Sequence, residues 1–110
     1  MAGSDLYRGT LELLILRALQ PGFLHGYGIG RWIRSRSDGI LEPEEGVLYP
    51  ALRRMEDRGW IRGKWGESET GRKARFYSLS RKGRGALEKE KARWAEHAGA
   101  VFAVLADGED

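Results

Sequence analysis

The sequence contains no cysteine. That excludes a disulfide framework, a thiolate metal centre and a cysteine nucleophile, and it fits a reducing compartment. Its two histidines, His25 and His97, fall on different predicted elements with no paired carboxylates facing them, so no metal site is expected. There is no long apolar run either. The richest stretch, residues 11–19, is interrupted by Glu12 and Arg17 and is about half the ~20 residues a membrane-spanning helix needs. The N-terminus lacks the basic, apolar and small-residue sequence of an export signal. The expectation is a cytoplasmic chain that does not enter membranes. Candidate nucleophiles are equally scarce: Ser35, Ser37, Ser68, Ser78 and Ser80 fall in turns or at strand ends without a neighbouring base. The glycines of residues 26–30 lack the buried strand that precedes a phosphate loop. Neither enzymatic activity nor a cofactor is expected.

What remains is a 110-residue chain, long enough for one domain, with 41% hydrophobic and 32% charged residues, the balance of a globular protein. Its net charge of +3 is mild but unevenly spread. Arg31, Arg34 and Arg36 lie together, and Arg72, Lys73, Arg75, Arg81, Lys82 and Arg84 form a stretch with no acid. Acids gather at Glu42, Glu44 and Glu45 and in the last quarter. Such charges can simply be solvated, but their segregation also matches the footprint of a phosphate-binding surface.

The apolar spacing predicts a first helix over residues 6–19, with Leu11, Leu14, Ile15, Ala18 and Leu19 in one stripe and Leu6, Leu13 and Leu16 widening it. Pro21-Gly22 stops it. A second helix covers residues 26–37, where Gly26, Gly28 and Gly30 each cost about 1 kcal/mol relative to alanine. Close approach of another element is the expected compensation. Residues 40–42 suit only a short strand. A third helix is expected from Pro43 to Gly59, with Leu48, Ala51, Leu52 and Met55 inward and Glu45, Tyr49, Arg53 and Glu56 outward. Pro50 within it removes a backbone hydrogen bond and predicts a bend.

Residues 60–65 and 74–79 alternate as strands around a polar, glycine-bounded loop, predicting a β-hairpin. Tyr77 and Leu79 share a face with Arg75, opposite Phe76. Ser80 then caps a helix over residues 81–105, about 37 Å long at 1.5 Å per residue. Leu87, Trp94 and Val101 recur at seven residues beside the row Lys91, Ala98 and Leu105, and Phe102 broadens the seam. A helix that outreaches its domain needs a second chain, so dimerisation is expected through Leu6, Leu87, Trp94, Val101, Phe102 and Leu105.

These elements, in this order, predict a mainly α protein with a small β-hairpin. The arrangement is a winged helix-turn-helix DNA-binding domain (residues 1–80), a long C-terminal dimerisation helix (81–106) and a disordered tail (107–110). In such a fold one helix enters the major groove and the hairpin tip reaches nearby phosphates. Tyr49 and Arg53 stand one turn apart on the exposed face of the third helix, and Arg72 and Lys73 stand at the end of the wing, followed by Arg75.

Several stretches together resemble the PadR-like transcriptional regulators. They are His25-Gly26-Tyr27-Gly28-Ile29, then Glu45-Gly46-Val47-Leu48-Tyr49-Pro50-Ala51-Leu52-Arg53-Arg54-Met55-Glu56, then Gly59-Trp60-Ile61. Trp65-Gly66-Glu67 and Arg72-Lys73-Ala74-Arg75-Phe76-Tyr77-Ser78-Leu79-Ser80-Arg81-Lys82-Gly83 continue the likeness, which covers nearly the whole chain. The resemblance implies a bacterial repressor that binds inverted-repeat duplex DNA as a homodimer and lets go when a small molecule binds. It implies DNA-facing roles for Tyr27, Tyr49 and Pro50 and for the Arg72-Lys73 pair. Val47 departs from the pattern, because members of the family often carry Thr or Ser there; valine has no hydroxyl to offer a phosphate. With one helix after the wing, the chain resembles the short subfamily. In its multidrug-binding members a tryptophan placed like Trp94 stacks flat aromatic ligands. That implies a planar aromatic effector bounded by Trp94, Ala98 and Leu13, although Trp94 can equally be interface packing. A second reading stays open, in which the fold serves as a ligand-sensing or protein-interaction module without specific DNA binding; Glu44, Glu45 and Val47 support it.

Overall fold

The computed structural model describes residues 2–108, with side chains from residue 9 onward. Leu6, expected at a dimer seam, therefore lies outside the described side chains, and the last two residues of the expected tail lie outside the described chain. The elements are α1 (Ala2–Ala18), β1 (Leu24–His25), α2 (Gly26–Arg36), α3 (Glu45–Asp57), β2 (Ile61–Glu67), β3 (Lys73–Leu79) and α4 (Arg81–Leu105). No helix among the described residues is long and apolar enough to cross a membrane.

Leu11, Ile15, Leu16 and Ala18 of α1, with Leu19 just after it, are buried against Ile29 and Ile33 of α2 and Leu48, Ala51, Leu52 and Met55 of α3. The broad apolar surface predicted for the first helix is thus largely consumed inside one subunit. Glu12 is also buried, at 7% exposure, because its carboxylate accepts from Arg54 Nε (3.2 Å) and Arg58 Nη1 (2.7 Å) across the α1–α3 contact. The pairing offsets the desolvation that a lone carboxylate would suffer there.

Two local expectations change. Residues 40–42 form no strand: Leu41 N–H donates to Ser37 Oγ, and Ile40 is exposed. The third strand is instead β1, in the sheet order β1-β3-β2, with Leu24 opposite Tyr77 and His25 opposite Phe76. Two residues carry too little alternation to announce a strand. The third helix starts at Glu45 rather than Pro43, and it continues through Pro50 to Asp57. The carbonyl that Pro50 leaves unserved belongs to Gly46, and both residues are exposed, so water can take its place.

The hairpin is longer than its apolar alternation suggests, pairing Ile61 with Leu79 through to Glu67 with Lys73. Its tip is closed by Ser68 N–H to Arg72 O and by Gly71 at φ +80°. Ser80 caps α4 as expected, accepting from Gly83 N–H at 3.0 Å while its own hydroxyl reaches the Gly59 and Trp60 carbonyls. Leu87 is the last deeply buried residue of α4, and the helix beyond it extends a chain measuring 59 × 28 × 27 Å.

Candidate nucleic-acid interface

The N-terminus of α2 is set by His25, whose Nδ1 accepts the Gly28 N–H at 2.9 Å. This needs an unprotonated Nδ1 and makes His25 the N-cap of α2. Gly26 behind it is buried because the Tyr49 ring of α3 lies on it; a Cβ at position 26 would stand 2.6 Å from Tyr49 Cε1. Close approach is therefore what the first glycine of α2 permits, as its unfavourable propensity implied. Gly28 gives room to the His25 ring in the same way, at 3.3 Å. Burial and the charge of Glu45 both raise the Tyr49 phenol above its ordinary pKa, so it presents a neutral hydroxyl.

On α3, Val47, Tyr49, Pro50 and Arg53 all face outward, while Leu48, Ala51, Leu52 and Met55 hold the opposite side in the core. Tyr27 projects from the first turn of α2, with the Arg31 guanidinium 5.7 Å from its ring centroid. Across from these, the wing presents Trp65, with Lys73 Nζ 5.1 Å from its ring centroid, and the exposed Arg72. Together the two sides enclose a cleft of about 770 Å³ whose walls include Tyr27, Arg31, Tyr49, Trp65, Arg72 and Lys73. Cations over aromatic faces, open to solvent on one side, suit the ribose–phosphate edge of a nucleic acid.

The cleft thus unites Tyr27, Tyr49, Arg72 and Lys73, whereas Val47, Pro50 and Arg53 lie on the exposed face of α3 outside its walls. Arg75 lines it too, but its guanidinium is engaged with Glu56 of α3 through a short Nη2 to Oε2 contact. That hydrogen bond, ahead of opposing burial, raises the arginine's affinity for its proton. Sequence reasoning gave Arg31 only a share in the basic footprint and did not place Trp65 in the site at all. Their signals are modest: Arg31 follows Tyr27 by one helical turn, and Trp65 is the cross-strand partner of Arg75.

The seam residues divide. Leu87 is only 2% exposed and belongs to the subunit's own core, so it is unavailable to a partner. That corrects its expected interface role. The reason is that the first turns of α4 pack on α1 and β3, and the seam repeat begins before the helix has left the core. Trp94, Val101, Phe102 and Leu105 are exposed, at 39%, 42%, 71% and 70%. Trp94 packs its ring 5.4 Å from that of His97, and Ala98 is half-buried beside it. Leu13 is partly buried against the core. Among the described residues no group of His, Asp and Glu side chains is arranged to hold a metal ion.

A protein of Lysinibacillus sphaericus known only as uncharacterised protein X is 30% identical over 96 residues, spanning 87% of this chain and 88% of its own length. The crystal structure of a PadR-like transcriptional regulator from Bacillus cereus superposes with a TM-score of 0.76 at 28% identity, covering 96% of this chain and 99% of that one. Bacillus subtilis PadR, solved in complex with operator DNA, superposes with a TM-score of 0.66 at 25% identity over 73% of this chain and 45% of that one. The PadR-like transcriptional regulator family model matches residues 15–89, from the core of α1 through both halves of the cleft to the start of α4. With its winged helix and these relatives, the chain belongs to the PadR-like family of transcriptional regulators, which are regulators and not enzymes.

Proposed function

We propose that the protein is a cytoplasmic, homodimeric repressor that binds an inverted-repeat operator and is released by a planar aromatic effector. The observation that carries the reading is the cationic, aromatic-walled cleft between α2, α3 and the wing. Tyr49 and Arg53 on the exposed face of α3 are the base-reading side chains, with Val47 and Pro50 supplying apolar contact. Arg72 and Lys73 hold the phosphates beside the wing, and Tyr27 does so from α2. Operator DNA bound to Bacillus subtilis PadR supports the choice of ligand. The apolar side chains that α4 leaves exposed support a partner subunit. Trp94 at mid-seam, with small Ala95, Ala98 and Gly99 around it and Leu13 as a wall, supports the effector site.

Selection of duplexes from a randomised pool, followed by titration at two salt concentrations, tests the DNA reading. The wild-type protein should enrich a palindrome. Arg72→Ala with Lys73→Ala should flatten the salt dependence by about 0.9 in log–log slope for each phosphate no longer neutralised. Arg53→Ala should instead relax sequence preference. Enrichment of no duplex, or an unaltered salt slope in the wing variant, refutes the assignment. For the effector, planar aromatic compounds should quench tryptophan emission in the wild type but not in Trp94→Ala.

A further inference from the structure

Arg75 was expected from the sequence to touch DNA, but its geometry points inward. The side chain leaves β3 toward α3 and donates from Nη2 to Glu56 Oε2. Its guanidinium lies 5.5 Å from the Trp65 ring centroid and 6.0 Å from that of Tyr77. The route exists because residue 63 is glycine: a Cβ there would fall 2.4 Å from Arg75 Nε. Gly63 stands directly opposite Tyr77 in the hairpin register, so the arginine runs along the sheet face that looks at α3.

The wing needs such a tether. β1 supports β3 only at Phe76 and Tyr77, through His25 and Leu24. Beyond that pairing, from Trp65 opposite Arg75 to Glu67 opposite Lys73, the wing is a bare two-stranded ribbon. Two-stranded ribbons twist and are marginal alone. Among the described residues, Glu56–Arg75 is the one ion pair joining this ribbon to a helix.

We propose that Arg75 is a positioning residue: its ion pair with Glu56, laid on Trp65 through the gap at Gly63, locks the wing against α3. The lock sets the span at which Arg72 and Lys73 of the wing and Tyr49 and Arg53 of α3 meet the same duplex. This rests on the DNA-binding reading above, and it recasts Arg75 from a contact into a strut.

Glu56→Ala separates the two roles, because it removes a negative charge from the DNA-facing side. If Arg75 were a phosphate contact held back by Glu56, its release would tighten binding to any duplex. As a strut, its loss should weaken binding of the selected duplex by about tenfold, the scale of one charge-assisted hydrogen bond. Glu56→Gln, which keeps an acceptor, should stay nearer to wild type. The double variant Glu56→Ala with Arg75→Ala should be no weaker than Arg75→Ala alone, within about twofold. In DNA-free protein labelled with 5-fluorotryptophan, Glu56→Ala and Arg75→Ala should both move the Trp65 fluorine resonance, assigned by Trp65→Phe, and leave that of Trp32 in place.

Binding by Glu56→Ala as tight as or tighter than wild type overturns the strut. So does a Trp65 resonance indifferent to both substitutions. If the wild type enriches no duplex, the DNA reading falls, and the Trp65 resonance still decides whether the strut exists.

Discussion

Replacing Gly83 by alanine puts a methyl group where the structure leaves no room. Gly83 sits in the first turn of α4, where its N–H donates to Ser80 Oγ, and a Cβ there would lie 1.9 Å from the carbonyl oxygen of Trp60. A carbon and a carbonyl oxygen approach comfortably to only about 3.3 Å, so α4 would have to withdraw by more than ~1 Å. The oxygen cannot yield easily, because it accepts from both the Ser80 hydroxyl and the Ser80 N–H. Overpacking against an immovable neighbour costs about 1–3 kcal/mol, and disturbing the Ser80 cap costs about 1 kcal/mol more. The better helix propensity of alanine returns about 1 kcal/mol. The net loss is roughly 1–3 kcal/mol, or a melting point lower by about 5–15 °C in a domain of this size. Gly85, two residues on, has no atom within 4 Å of its would-be Cβ. Gly85→Ala should therefore gain about 1 kcal/mol from propensity alone. Thermal unfolding of the three proteins, followed by circular dichroism at one protein concentration, checks the pair. A Gly83→Ala variant that melts at or above wild type would refute the reasoning, and so would two variants shifting in the same direction.

Glu12→Ala should destabilise by about 1–3 kcal/mol in chemical denaturation. That is less than for a fully buried pair, because Arg54 and Arg58 keep 31% and 43% of their side chains in solvent and can rehydrate. The phenols of Tyr49 and Tyr77 both hold their protons above the ordinary value, chiefly through burial, with Arg75 opposing the rise at Tyr77. An acid with a raised native pKa stabilises fully below its unfolded pKa of ~10 and loses that contribution as pH climbs through the native value. Melting points taken from pH ~9 to ~11.5 should fall, and Tyr77→Phe should fall less steeply; equal slopes would show that the phenol does not contribute.

The order of elements was legible in the sequence because each carries a strong local signal. The stripe of α1, the inward face of α3 and the alternation of β3 fixed the helices and the hairpin, and Ser80 marked the start of α4. What escaped was non-local or too short. β1 is two residues long and has meaning only beside Tyr77 and Phe76. Glu12 looked like an interruption of an apolar run, yet it is the buried anchor of two arginines more than 40 residues away. The site residues were legible by type and element, but not by engagement. Arg75 is cationic and on the wing, as its position in the sequence implies, while its ion pair depends on a helix and a strand meeting across 19 positions. Gly63 is the mark left in the sequence, and a glycine in a strand signals close approach without naming what approaches.

The exposed end of α4 shows what the proposed dimer must look like. With Leu87 withdrawn into the core, the seam runs over residues 94–105, three helical turns. Trp94, Ala98, Val101 and Leu105 fall on one line, as two-helix packing requires. At ~100° per residue, however, Phe102 lies about 80° to one side of that line and Val104 about 80° to the other. Both are largely exposed, at 71% and 83%, as is Leu105 at the end of the line, at 70%. An apolar arc of about 160° is too wide for a single partner helix, whose stripe is nearer 100°. Three turns against one helix also fall short of the ~1,200 Å² that a stable interface buries. A partner subunit covering that arc would therefore meet α4 with two elements, one on each flank. Phe102→Ser and Val104→Ser should each weaken the dimer as much as Val101→Ser does, measured by sedimentation equilibrium over a concentration series. A seam of two helices alone predicts that Val104→Ser dimerises like wild type, and that result would reject the two-flank interface.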